Sequence, residues 1–201
     1  MILGFIACAS ALIHANQGIS NPVPPPNTES QQQLMPYFEM ARIAGLSAKE
    51  FELAIQRNPE FVRARNDSGL TMAHIVVGTS ESAAKIAVLH HAGADLNAHM
   101  LSSRYAPLHF TLFESDERAA AALLHFGALP NIQARNGQTP LHLVSIFRDG
   151  GGLKYAALLV GAGAQPALTD LAGRRPDEYM KAEGQMEVRD FLLAFIAPIG
   201  R

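Results

Sequence analysis

A four-residue pattern recurs three times along this chain: Thr71-Met72-Ala73-His74, Ala106-Pro107-Leu108-His109 and Thr139-Pro140-Leu141-His142. The histidines lie 35 and then 33 residues apart. Each stretch is followed by an apolar pattern of helical period and then by a Gly-Ala step, at Gly93-Ala94, Gly127-Ala128 and Gly163-Ala164. A repeat of this length is a supersecondary unit that cannot bury its apolar face alone, so the chain is restricted to a stack of like units. Such a stack spends its residues on joining neighbours, and its usual product is a binding surface rather than a reaction centre.

The period and the Thr-Pro-Leu-His and Gly-Ala signatures resemble the ankyrin repeat. The resemblance implies an all-α solenoid of helix-turn-helix units with short turn or β-hairpin fingers, about five units over residues 35–196, with degenerate end units. The opening unit lacks the repeated stretch. Pro36 suits the start of its first helix, Ser47-Ala48-Lys49-Glu50 is a capping box for its second, and Asn58-Pro59 stops that helix. In the next unit Asp67-Ser68-Gly69 is turn chemistry, Ile86 and Leu89 face inward, and Gly93 ends the outer helix. The following unit carries Arg104 where the turn glycine belongs, which predicts a deformed finger. The fourth follows the pattern most closely but contains the insertion Asp149-Gly150-Gly151-Gly152, which reads as a flexible loop. The last has Gly173-Arg174-Arg175-Pro176-Asp177 at the finger and a closing helix over residues 185–196, with Phe191, Leu192 and Phe195 on one face.

Within the repeated stretch, Pro107 and Pro140 occupy the first helical turn, where a missing N–H costs nothing. The hydroxyls of Thr71 and Thr139 are expected to cap that turn. The resemblance implies that His74, His109 and His142 join a hydrogen-bond network tying adjacent turns. They also sit one repeat width apart, too far to share a zinc ion whose Zn–N bonds are about 2 Å. With Gly93, Gly127 and Gly163 they read as structural. A second set, His90, His91, His99 and His125, lacks metal-motif spacing; His90 falls where the family buries a leucine. A metal or small-ligand site built on His90, His91 and His99 is the rival reading.

No catalytic constellation is legible. The sequence has no Gly-x-Ser-x-Gly, phosphate-cradling loop or His-Glu-x-x-His, so no enzyme and no cofactor are expected. A net charge of −2 and the absence of Trp argue against a nucleic-acid partner.

Residues 1–15 carry no charge, and their apolar run is shorter than the roughly 20 residues a bilayer span needs. They read as the apolar part of a secretory signal, although the usual positive n-region is missing. Residues 16–34, rich in Pro and Gln, read as an extended linker, and 197–201 as a tail. The expected location is therefore periplasmic or secreted after cleavage. The alternatives are a lipid anchor on Cys8, the single cysteine, and a cytoplasmic scaffold.

The resemblance places binding on the finger tips and the inner-helix face. In register these are Asp67, Ser68, His99, Tyr105, Phe113, Glu114, Arg135, Gln138, Phe147, Arg148 and Arg174. Tyr105, Phe113, Phe147 and Arg148 stand out, since aromatic and arginine side chains are common interface anchors. Phe113 and Phe147 have a second reading as core between helices. The expected partner is another protein: a toxin neutralised by an immunity protein, or a client enzyme such as one in peroxide defence.

Overall fold

Ser47 and Glu50 cap one another: the Ser47 hydroxyl accepts from Glu50 N–H at 3.4 Å and the Glu50 carboxylate from Ser47 N–H at 3.2 Å. The computed structural model describes residues 37–148 and 151–196, within the larger of the chain's two units, 32–201. The signal segment, the linker, Pro36, Asp149, Gly150 and the 197–201 tail lie outside the described residues.

Helices follow in pairs. They are α1 (Tyr37–Ala44) with α2 (Ala48–Arg57), α3 (Met72–Ile75) with α4 (Ser82–His91), and α5 (Pro107–Phe113) with α6 (Glu117–His125). Then come α7 (Pro140–Leu143), prolonged by a 3-10 turn Val144–Ile146, with α8 (Gly152–Gly161). A 3-10 turn Pro176–Tyr179 takes the inner place in the last pair, and Glu183–Gln185 leads into α9 (Met186–Leu193). Successive inner elements pack on one another, α1 on α3, α3 on α5, α5 on α7 and α7 on Pro176–Tyr179. The outer ones do the same from α2 through α4, α6 and α8 to α9. One apolar cluster runs between the two rows, from Met40, Ile43 and Phe51 through Ile86, Leu89, Leu112 and Leu123 to Leu159, Val188 and Leu192.

The helix α3, one turn long, would not hold in water alone; packing and the finger contacts described below hold it. The fingers are tight turns. No strand occurs among the described residues, and the expected hairpins reduce to an isolated antiparallel bridge between Arg65 and Thr71. The reason is length: these fingers close at once, by Asn66 N–H to Leu70, Ala134 to Gln138 or Asp170 to Arg174 together with a turn bond from Gly69, Gly137 or Gly173 back to the first residue, which leaves no room for a ladder.

Several expectations are corrected. The finger carrying Arg104 is altered in length rather than in turn conformation: Arg104 adopts φ 57°, close to Gly69, Gly137 and Gly173 at 79°, 81° and 76°. Its closing bond, Met100 N–H to Tyr105, spans one residue more than in the other fingers. Gly152 belongs to a helix, not a loop: it opens α8, and a Cβ there would lie 2.8 Å from Val144 Cγ1. His90 is exposed and stacks on Phe126 at 4.7 Å, while Leu89 takes the buried position. The closing helix stops at Leu193, so Phe195 lies beyond it, 53% exposed, touching Phe191. Gln185 precedes that helix and is buried, its amide donating to the Ser145 and Phe147 carbonyls.

Candidate partner-binding surface

The three repeated histidines are fully enclosed and make the same two contacts in each unit. Their Nδ1 atoms accept from the backbone N–H three residues back, Thr71, Ala106 and Thr139, each at 3.1 Å. An Nδ1 that accepts has no proton, so Nε2 carries it and donates to a carbonyl of the next finger: Tyr105 at 3.1 Å, Gln138 at 3.3 Å and Arg174 at 3.1 Å. The threonine hydroxyls do not cap the helix as expected. They donate to the same Nδ1, at 2.9 Å for Thr71 and Thr139, and the imidazole is the group that caps the turn. Burial dominates their protonation, holding His74 at about 3 and His109 at about 4 and pushing His142 down.

Backbone bonds join finger to finger in the same direction. Leu101 N–H donates to Ser68 at 2.9 Å, Arg135 to Ser103 at 2.8 Å and Leu171 to Asn136 at 3.0 Å. The far ends of the units are tied by Asn97, whose amide donates to Gly127 O and whose oxygen accepts from Leu129 N–H. Asn131 repeats this with Gly163 and Gln165. Lys85, which sequence reasoning missed, is fully buried, its ammonium donating to Ala44 O at 2.8 Å and Thr79 Oγ1 at 3.2 Å. Desolvation lowers its pKa. No sequence signal marks it, because its acceptors lie on other elements.

Of the expected binding residues, Tyr105 and Phe113 come together. Their half-buried rings meet edge to face at 5.3 Å, with Phe110 6.2 Å from Phe113 and His109 5.2 Å from Tyr105. Glu114 lies beside them, half-buried, its carboxyl pushed up by desolvation and by Asp116. It borders a shallow groove of about 540 Å³ that includes Gly78, Thr79, Glu81, Asp116 and Arg118. Asp116 is not free there: its oxygens accept from Gly78 N–H and Ala119 N–H.

Phe147 does not join the cluster. Its ring, half-buried like that of Phe113, stacks on Tyr155 of α8 at 4.8 Å. Arg148 is exposed. At the fingers, Asp67 is exposed, and the amide of Ser68 is tied to Asn66. His99 is half-buried and held down by burial and by Arg104. The Arg135 guanidinium donates to the carbonyls of Ser102 and Leu101. Gln138 accepts from the Asn136 amide at 2.9 Å. Arg174 lies over the Tyr179 ring at 4.6 Å and donates to Asp170 at 3.0 Å. Asp170 sits well below the usual carboxylate range, chiefly because the Tyr179 hydroxyl donates to it.

Two exposed leucines, Leu101 at 65% and Leu171 at 80%, lie within the expected finger tips, 99–105 and 169–174, beside the contacts singled out from sequence. Their signal was an apolar residue at a turn position where solvent favours a polar one. Among the described residues no group of three or more His, Cys, Asp or Glu could hold a metal, and no helix is long and apolar enough to cross a membrane.

No family model matches the chain. It is similar to the nuclear factor NF-kappa-B p105 subunit of Gallus gallus, 33% identical over 112 residues, which is 55% of this chain. The chain spans only 11% of that protein's length. The likeness is in keeping with the repeats that the sequence resembles.

Proposed function

We propose that this chain is an ankyrin-repeat stack whose function is to bind another protein, through its finger tips and the inner-helix face around Tyr105 and Phe113. The observation that carries the reading is the Tyr105–Phe110–Phe113 cluster, half-exposed beside Glu114 on a framework whose buried imidazoles and asparagine bonds are otherwise used to join layers. A stack without a partner gains nothing from aromatic rings left partly in water, whereas an interface gains its anchors. The chain acts without catalysis.

The test is crosslinking in the native host followed by mass spectrometry, with wild type beside a Tyr105→Ser, Phe113→Ser variant whose folding is checked by circular dichroism. One dominant partner lost in the variant supports the reading. Capture unchanged by the variant removes the aromatic cluster from the site. We place the protein outside the cytoplasm on the composition of residues 1–15 alone. An intact N-terminus on the mature chain would refute that location.

A further inference from the structure

The finger row carries an unbalanced pattern of charge and apolar surface that joining the layers does not explain. Leu101, Arg135 and Leu171 occupy the same place in successive fingers, since each donates its N–H to the finger before it. Both leucines are mostly exposed. Among the described residues the Arg135 guanidinium is bound to the carbonyls of Leu101 and Ser102 and meets no carboxylate, so it is held in place with its charge unneutralised. Arg104 is exposed and makes no hydrogen bond or ion pair among the described residues. It also sits at φ 57° where the other three fingers have glycine. A left-handed residue with a Cβ costs about 1 kcal/mol, so the strain is retained at a cation directed to solvent. Nearby acids do little to offset these charges. Asp95 reaches Arg65 only at 3.9 Å, Asp170 is engaged by Arg174 and Tyr179, and Asp177 by Arg175. Asp67 is the remaining exposed carboxylate of the row.

We propose that this row docks an extended acidic segment of a partner protein. Carboxylates of the segment lie on Arg104 and Arg135, and two apolar side chains rest on Leu101 and Leu171. Leu101 and Leu171 are two fingers apart, about 20 Å if layers repeat at the usual 8–10 Å helix spacing. An extended chain rises about 3.3 Å per residue, so the apolar residues are about six positions apart with the acidic ones between them. Leucines flanking the arginines favour a peptide over a nucleic acid, which would call for further cations and for stacking rings in the row. The inference rests on the protein-binding function proposed above and specifies the chemistry of the partner.

The experiment is selection of random twelve-residue peptides displayed on phage against the full chain, followed by fluorescence-anisotropy titration of the enriched peptides. Enrichment of acidic peptides with apolar residues about six apart is expected, with affinity falling as salt rises. Arg104→Glu and Leu171→Asp are each expected to weaken binding about tenfold. Arg104→Gly separates binding from folding, because it relieves the strained turn and yet is expected to weaken binding about threefold.

Enriched peptides without acidic bias, or affinities unchanged in both Arg104 variants, overturn the proposal. Peptides lost only in the Tyr105→Ser, Phe113→Ser variant overturn it too, while the protein-binding function stands on the inner-helix face. No enrichment at all overturns it, and the host crosslinking then decides the broader function separately. Displacement of the peptides by a 20-nucleotide poly(U) RNA, or self-association abolished by Arg104→Glu, would assign the row to a polyanion or to a second copy and overturn it likewise.

Discussion

Acidification from pH 7 to pH 5 is expected to remove about 4 kcal/mol of stability through two buried histidines. In the folded chain His74 is held at about 3 and His109 at about 4, burial being the larger cause in each. A proton added at Nδ1 would face the N–H of Thr71 or Ala106, so two donors would oppose each other in place of a bond. Unfolded, both imidazoles titrate near 6.5. Below that value the unfolded chain holds more protons than the folded one. The contribution is therefore fully present above about pH 6.5 and declines as the pH falls toward 4 and then 3. One proton of difference is worth about 1.36 kcal/mol per pH unit, so at pH 5 each histidine has given up about 2 kcal/mol. Their sum is a large share of the 5–15 kcal/mol typical of a folded domain. His142 is displaced in the same direction and adds to the loss.

Urea unfolding followed by circular dichroism at pH 7, 6 and 5 measures the slope directly. His109→Gln can still accept from Ala106 N–H but cannot titrate, and it is expected to reduce the two-histidine slope by about half. Nitrogen NMR at pH 5 should find His74 and His109 neutral with the proton on Nε2. Stability that stays flat between pH 7 and 5, or a His109 midpoint above 6, would refute the reasoning.

Further perturbations test the packing. Arg104→Gly should raise the unfolding free energy by about 0.5–1 kcal/mol, since the turn already holds φ 57°; a loss of stability in thermal unfolding would contradict the strain. Gly137→Ala should destabilise by more than about 2 kcal/mol, because its Cβ would lie 2.6 Å from Leu171 N and φ is 81°. Gly163→Ala, with nothing within 4 Å, should cost about half as much in the same denaturation assay. Gly152→Ala is expected to cost about 1–3 kcal/mol and to speed amide exchange at the start of α8, whereas a loop glycine would tolerate the change. The buried Tyr155 hydroxyl has no hydrogen-bond partner among the described residues, so Tyr155→Phe should be neutral or stabilising by about 1 kcal/mol in urea unfolding.

The unit register, the Ser47–Glu50 cap and the left-handed ends at Gly93, Gly127 and Gly163 are legible from sequence. Each is set within about four residues of chain, where a proline, a capping pair or a glycine acts on its own neighbours. The three histidines read as structural through the family resemblance, and the structure adds that the Nδ1 contact closes on the residue three positions back. The exposed faces are set less locally. Tyr105 and Phe113 meet, but Phe147 is held by Tyr155, and His90 turns outward onto Phe126. Lys85 is buried because Ala44 and Thr79 supply its acceptors, and Gly152 is required because Val144 leaves no room for a Cβ. Leu101 stands at a turn in the sequence, and its exposure follows from how its finger stacks on Ser68. Local chain chemistry therefore determines the unit register and these caps and turns. Which side chains face water is decided by the neighbouring layer, about 30–40 residues away in sequence, because burial and hydrogen-bond satisfaction depend on what packs against a residue rather than on what precedes it.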